Sequence, residues 1–179
     1  LHAAPEVGTV LPNTVACVKK RLLEMGYQPR ELAGGVVAEI TGTETGRCLL
    51  LRADMDALRV TEQTGLDFAS ANGCMHACGH DMHAAVLFGV LQQLAAEPDF
   101  RGPLFGLFQP GEECNPGGAS LVLAENPFDG YEVRAVVGEH VEPQLEGRWD
   151  SAPGNTWPPA TNCASRCTVR AGTAPCARS

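Results

Sequence analysis

The hydrophobic pattern of the first fifty residues changes from the period of a helix to that of strands. Four apolar residues recur at helical spacing before Gly26, a residue that commonly follows a helix end: Val15, Val18, Leu22 and Met25. Two apolar runs follow, Val36 to Ile40 and Cys48 to Leu51, with a Thr-Gly-Thr-Glu-Thr-Gly turn between them. This spacing predicts one helix and then a hairpin or two adjacent strands.

The pattern then alternates between helix and strand up to about residue 137. Residues 84–96 have helical periodicity, with five apolar residues predicted on one face: Val86, Leu87, Val90, Leu91 and Leu94. Leu104 to Phe108 and Ala135 to Val137 are predicted as strands, and Ala119 to Ala124 as a helix. Such alternation indicates an α/β fold whose sheet is covered on both faces.

Composition narrows the class of protein. The chain has 179 residues, of which 44% are hydrophobic, enough for the core of one domain. Its net charge of −8 argues against a nucleic-acid partner, because phosphate binding needs clustered Lys and Arg. No apolar run approaches the roughly 20 residues of a membrane span, so no membrane association is expected. The eight Cys are not spaced as in a small disulfide-linked domain and no signal peptide is visible, so we expect a reduced, cytoplasmic setting.

The densest cluster of potentially reactive side chains runs from Met75 to His83, just before the second predicted helix. It contains three His, one Cys and one Asp, and thiolate, imidazole and carboxylate groups all bind zinc and related metals. A glycine between Cys78 and His80 allows both side chains to point at one site. Asp81 is placed to orient a ligand imidazole. The alternative is an ordinary polar helix start facing solvent.

Two further clusters follow predicted strands. Glu112 and Glu113 are adjacent, so their carboxylates point in opposite directions, and one can bind a metal while the other holds a water. His140 follows the strand near residue 137 and can complete a metal site. The alternative for the two glutamates is a solvated acidic turn, and the alternative for His140 is a hydrogen-bonded core His. A fourth group, Asp54 and Asp56, follows a run of three Leu. Its simplest interpretation is a salt bridge at the sheet edge, and the spacing assigns no role to either Asp.

Taken together, these clusters favour metal-assisted hydrolysis. They supply four candidate metal ligands and one spare carboxylate, Glu112, as a general base: the candidate ligands are Cys78, His80, Glu113 and His140. Two alternatives remain. One is a non-catalytic product that binds one metal or none. The other is a structural zinc protein with a different set of ligands: Cys74, His76, Cys78 and His80.

The order of these motifs resembles the amidohydrolase branch of the aminoacylase and carboxypeptidase superfamily, which includes hippurate hydrolase, auxin-conjugate hydrolases and N-acetyldiaminopimelate deacetylase. The resemblance extends from Leu1 to about Gly154. It rests on these segments: Leu1-His-Ala-Ala-Pro-Glu6, Arg52-Ala-Asp-Met-Asp-Ala-Leu58, His76-Ala-Cys-Gly-His-Asp-Met-His83, Phe108-Gln-Pro-Gly-Glu-Glu113 and Gly117-Gly-Ala119.

The resemblance implies a zinc-peptidase-like α/β/α sandwich that cleaves the amide bond of N-acyl amino acids. It implies two divalent metal ions, zinc or manganese with cobalt possible, bound by the four candidate ligands, with Glu112 as general base. Three acids are candidates for supporting the ligands without binding metal: Asp81, Asp54 and Asp56. The family also has a smaller lid domain through which subunits pair, so a homodimeric parent enzyme is expected.

The resemblance predicts two parts for this chain, residues 1–154 as the N-terminal part of a catalytic domain and residues 155–179 as an aberrant tail. The family has a further His ligand and a Gly-Gly-His motif in its lid, whereas His140 is the last His here. We therefore expect a fragment with the lid missing and with little or no activity by itself. Rereading GC-rich codons from Asn155 in one shifted frame can produce an alternating strand followed by Gly-Gly-His.

We accordingly predict a single-nucleotide slip near codon 155. Sequencing the DNA across this region should reveal a competing frame that encodes the lid motif. An intact frame that encodes the present tail, with no competing reading, would contradict the prediction and leave a divergent C-terminal segment.

Overall fold

The computed structural model describes residues 1–44, 46–96, 101–141, 145–153 and 167–173, the last two ranges as backbone only. Three helices are found in these ranges: α1 (Pro12–Glu24), α2 (His80–Ala96) and α3 (Gly118–Ala124). The strands are β1 (Arg30–Leu32), β2 (Gly35–Ile40), β3 (Arg47–Asp54), β4 (Leu104–Gln109), β5 (Glu132–Val141), β6 (Leu145–Pro153) and β7 (Cys167–Thr173). None of the helices in these ranges combines the length and hydropathy needed to cross a membrane.

All seven strands form one mixed sheet in the order β1-β2-β4-β3-β5-β7-β6. The three central strands, β4, β3 and β5, run parallel to one another. Their carboxyl ends therefore meet at one edge of the sheet, which is where ligand sites form in open α/β folds. The mixed α/β architecture confirms the predicted fold class.

The predicted pairing of β2 with β3 is wrong, because β4 lies between them and pairs with both. Every residue of β4 is buried, so this apolar strand requires the centre of the sheet. The connection from β2 to β3 crosses the start of β4 at Gly42. A Cβ atom on Gly42 would lie 2.3 Å from the backbone oxygen of Gly102, so the crossing depends on the glycine.

Helices cover both faces of the sheet. One hydrophobic cluster joins α1 and α2 to the sheet, and a second joins α3 to the other face. In α2 the buried stripe is His80, His83, Ala84, Leu87 and Leu91. Val86 and Val90, which were predicted on the same face as Leu87 and Leu91, lie at the margin of this stripe, since each is 38% exposed. This helix is apolar around most of its circumference, so the spacing of hydrophobic residues did not identify the buried face.

The predicted helices and strands are confirmed, and three of them are longer than predicted: α2, β5 and β3, which reaches Asp54. Helix α2 begins at His80, four residues before the predicted start, so the His-rich cluster includes its first turn. Strand β5 reaches Val141 and therefore includes His140. The predicted domain boundary after residue 154 falls outside the described residues, although β7 beyond it pairs with β5 in parallel.

The contact between α2 and β4 leads to a test of this core. Leu91 is completely buried, and its methyl groups pack where a Cβ of Gly106 would stand. We expect Leu91→Ala to lower the free energy of unfolding by about 2–5 kcal/mol, because it leaves a cavity. The neighbouring Val90→Ala should change it by only about 0.5 kcal/mol. Denaturant titration measures both, and equal losses would contradict the assigned face of α2.

Candidate metal centre

The candidate site lies at the carboxyl edge of the sheet, where the turn before α2 meets the end of β5. Gly79 sits in this turn at φ +81°, in the left-handed region. A Cβ atom on Gly79 would lie 2.4 Å from Cγ2 of Val141, so no larger residue fits without displacement. This glycine therefore allows the turn that carries Cys78 and His80 to approach the end of β5.

The structure brings all five predicted metal and catalytic residues together around His80. Cys78 Sγ lies 3.3 Å from Nε2 of His140, and both belong with His80 to one group of metal-binding side chains. Glu112 and Glu113 form a second group with His80, at 3.8 and 4.0 Å from its Nε2 atom. Donor atoms within each group lie no more than 4.8 Å apart. His80 is thus shared by both of these potential metal-binding groups.

His80 has a side chain only 1% exposed, yet neither ring nitrogen forms a hydrogen bond with a described residue. Its Nδ1 lies 3.3 Å from Oδ1 of Asp56, at ion-pair distance. Burial lowers the pKa of His80, but the Asp56 carboxylate and the Cys78 thiol outweigh that effect and raise the pKa to about 11. The surrounding carboxylates and thiol therefore favour a positive charge at the position of His80.

Cys78 and His140 are both held in forms suited to metal binding. The hydrogen bond with His140 and the nearby imidazole of His80 lower the pKa of the Cys78 thiol, and thiolate is the form that binds metals. His140 Nδ1 donates to the backbone oxygen of Val141 at 2.7 Å, so its Nε2 faces Cys78. A hydrogen bond from one ring nitrogen to a carbonyl is the usual way to orient a ligand His.

Asp56 holds the two glutamates in place. Its carboxylate accepts the backbone N–H of Glu112 at 2.9 Å and that of Glu113 at 3.1 Å. Partial burial of Glu112, together with the negative charge of Asp54, raises the pKa of its carboxyl group. A carboxylate with a raised pKa is a stronger base, which suits the predicted role of Glu112.

The other predicted acids make different contacts. Asp54 accepts a hydrogen bond from Arg52 at 2.6 Å and one from His83 at 2.5 Å. Asp81 is bonded to Nδ1 of His2 at 2.7 Å and lies beside the site rather than against a candidate ligand. The predicted orienting role of Asp81 thus has no supporting contact among the described side chains, whereas Asp54 and Asp56 both reach the site.

Three polar residues near the site were given no role from the sequence. His2 links Asp81 to Glu62, and His83 links Asp54 to the end of β5. Glu139 has a buried oxygen without a hydrogen-bond partner among the described residues, and burial together with Asp54 raises its pKa to about 7. The sequence hinted at a role for Glu139 only through its charge, which lies next to the apolar residues of β5.

Comparison with known proteins gives one family. The family described as peptidase family M20/M25/M40 matches residues 50–171. The chain is 43% identical over 149 residues to N-acetyl-L-cysteine deacetylase of Bacillus subtilis strain 168, covering 81% of this chain and 35% of that protein. It is 40% identical over 152 residues to N-acyl-L-amino acid amidohydrolase of Geobacillus stearothermophilus, covering 82% of this chain and 40% of that protein.

A crystal structure has the same fold over most of this chain. It is that of a Bacillus subtilis protein described as a dinuclear metal-binding peptidase from the M20 family. The TM-score is 0.79 at 36% identity, and the match covers 86% of this chain and 44% of that one. The chain therefore spans less than half the length of these relatives.

The two hydrogen bonds of Asp56 lead to a test of how the glutamates are held. In Asp56→Asn only one of the two side-chain atoms can accept, so one partly buried backbone N–H loses its partner. We expect the free energy of unfolding to fall by about 1–3 kcal/mol. The exposed Asp67→Asn is the matched control and should leave stability unchanged. Equal stability of the two variants would show that Asp56 does not hold the Glu112–Glu113 turn.

Proposed function

This chain belongs to peptidase family M20/M25/M40, and from that membership we propose that its site serves metal-dependent hydrolysis of the amide bond of N-acyl amino acids. The observation that carries the proposal is the environment of His80. Its two ring nitrogens are buried without hydrogen-bond partners among the described residues, in a pocket that stabilises positive charge. The names of the relatives, a deacetylase and an amidohydrolase, support the reaction type.

The donor set fits two divalent metal ions. Cys78, His80, Glu113 and His140 would hold them, and the similar structure from Bacillus subtilis is described as binding two metals. A thiolate among the ligands favours zinc, although manganese and cobalt use the same imidazole and carboxylate donors. The metals would polarise the substrate carbonyl and lower the pKa of water, which is the chemistry that amide hydrolysis requires.

Glu112 supplies the proton transfers in this scheme. Its carboxylate takes a proton from water while the water oxygen attacks the carbonyl carbon. When the carbon–nitrogen bond breaks, Glu112 returns that proton to the departing nitrogen. The products are a carboxylate and a free amino acid. The raised pKa of Glu112 supports this role, because it must hold the proton between the two steps.

The alternative structural zinc site receives less support. It requires Cys74 and His76 beside Cys78 and His80, but neither joins a group of three metal-binding side chains in the described part of the chain. We also propose that the protein is cytoplasmic, where Cys78 stays reduced, and that the parent enzyme is a homodimer paired through a lid domain. Its substrate is a small N-acyl amino acid.

Metal titration distinguishes the two zinc sites. We expect the chain to bind zinc or manganese. Glu113→Gln and His140→Asn should each weaken this binding by more than the roughly 10–100-fold that is typical of losing a supporting hydrogen bond. Cys74→Ser is the matched control and should bind as the unmodified chain does. Isothermal titration measures each constant. Loss of binding in Cys74→Ser, with binding retained in His140→Asn, would favour the structural site.

We expect the 179-residue chain to have little or no activity by itself, because His140 is its last His and the family resemblance implies a further ligand. Hydrolysis of an N-acetyl amino acid with added zinc or manganese measures this directly. Turnover well above background would contradict the expectation, provided that it disappears in Glu112→Gln. That variant removes the base and leaves the four candidate ligands intact.

A further inference from the structure

His83 is completely buried in α2, and both of its ring nitrogens have partners. Its Nδ1 lies 2.5 Å from Oδ1 of Asp54, and its Nε2 accepts the backbone N–H of Val141 at 3.0 Å. The first partner ends β3 and the second ends β5. A single side chain thus joins α2 to two strands at the edge of the sheet that carries the site.

Three hydrogen bonds connect Arg52, Asp54, His83 and Val141 in series, and the groups at the two ends of this series fix the direction of each bond. Arg52 can only donate, and its Nη1 donates to Oδ2 of Asp54 at 2.6 Å. The backbone N–H of Val141 can also only donate, so Nε2 of His83 must be unprotonated. The proton of the neutral ring is then on Nδ1 and is donated to Asp54. Only one tautomer of His83 satisfies all of these groups.

The residue held by His83 directly follows His140. The His83 and His140 rings lie 4.7 Å apart between centroids, and the side chain of Val141 packs against Gly79, beside Cys78 and His80. A shift of the Val141 backbone would therefore move His140 relative to the turn that carries the other two candidate ligands.

We propose that His83 is a positioning residue, and that the hydrogen-bond chain from Arg52 through Asp54 and His83 to Val141 sets the place of His140 in the metal centre. This inference rests on the proposed function for its consequence, metal affinity. The chain of hydrogen bonds itself does not depend on that function.

His83 could instead be taken for a metal ligand, because it forms a buried group with Asp54 and His80 whose donor atoms are within 4.8 Å of one another. The hydrogen bonds argue against this. A metal on Nε2 would displace the Val141 N–H, and a metal on Nδ1 would separate the ring from Asp54. Each choice would leave a buried polar group without its hydrogen-bond partner, which is unfavourable.

Two substitutions of His83 separate its two hydrogen bonds. In His83→Gln the side-chain oxygen is near the former Nε2 and can accept the Val141 N–H, while the bond to Asp54 is lost. In His83→Asn the amide nitrogen is near the former Nδ1 and can donate to Asp54, while Val141 loses its acceptor. His2→Asn is the matched control, since His2 is hydrogen-bonded to Asp81 and Glu62 rather than to a candidate ligand.

Asp54→Asn tests the direction of these hydrogen bonds. Arg52 still needs an acceptor, so the side-chain oxygen of the new amide must face Arg52 and its NH₂ group must face His83. His83 Nδ1 then becomes the acceptor and the proton moves to Nε2, where it meets the Val141 N–H. A reversal of the tautomer would therefore confirm the direction of these hydrogen bonds, and the zinc titration below tests whether they position His140.

The experiment combines two measurements on the full 179-residue chain. Nitrogen-15 NMR of the metal-free protein should show His83 protonated on Nδ1, and in Asp54→Asn the proton should be on Nε2 instead. Hydrogen exchange at the backbone N–H of Val141 should be faster in His83→Asn but not in His83→Gln. Zinc titration should show affinity about 10–100-fold weaker in His83→Asn. His83→Gln and His2→Asn should remain closer to the unmodified chain.

An unmodified chain with His83 protonated on Nε2 would overturn the proposal without any variant, so it stays testable if a variant fails to fold. Equal losses of zinc affinity in His83→Gln and His83→Asn would also overturn it, and would indicate a ligand. If the unmodified chain binds no zinc or manganese, the proposed function fails. The tautomer and the Val141 exchange rates then still support or contradict the hydrogen-bond chain.

Discussion

His80 is buried beside carboxylates and a thiol, without a hydrogen bond from either ring nitrogen to a described residue, and this arrangement is favourable only with positive charge present. The rest of the site follows from that constraint. Parallel central strands bring Asp54 and the glutamate turn to one edge, and Gly79 lets the start of α2 approach the end of β5. The parallel strands and Gly79 thus have the same effect, because both place anionic donors around the imidazole of His80.

The sequence predicted the elements whose local pattern was unambiguous. Periodicity located α1, α3 and the apolar β4, and residue chemistry identified the donors around His80. It did not locate the short β1, nor β6 and β7 beyond His140. The predicted hairpin was wrong because a local pattern cannot show that the later strand β4 would enter between β2 and β3. The spacing of hydrophobic residues did not single out the buried face of α2, because this helix is apolar on most sides.

The candidate ligands could be predicted because thiolate, imidazole and carboxylate groups are rare in such density, whatever the fold. Their supporting contacts could not. His83 meets Val141 across 58 positions of the chain, and Asp56 meets the backbone of Glu112 across 56. Each bond uses a backbone N–H, which carries no signal in the identity of a residue. Such contacts become visible only when the register of β5 and the start of α2 are known.

The central proposal is that one thiolate, two imidazoles and one carboxylate supply the ligands of the metal centre. X-ray absorption spectroscopy of the chain loaded with one equivalent of zinc tests it most directly. The account predicts a single sulfur at about 2.3 Å with the remaining ligands nitrogen or oxygen at about 2.0–2.2 Å. A shell with two sulfurs, or with none, would contradict the assignment of Cys78, His80, Glu113 and His140 as the metal-binding set.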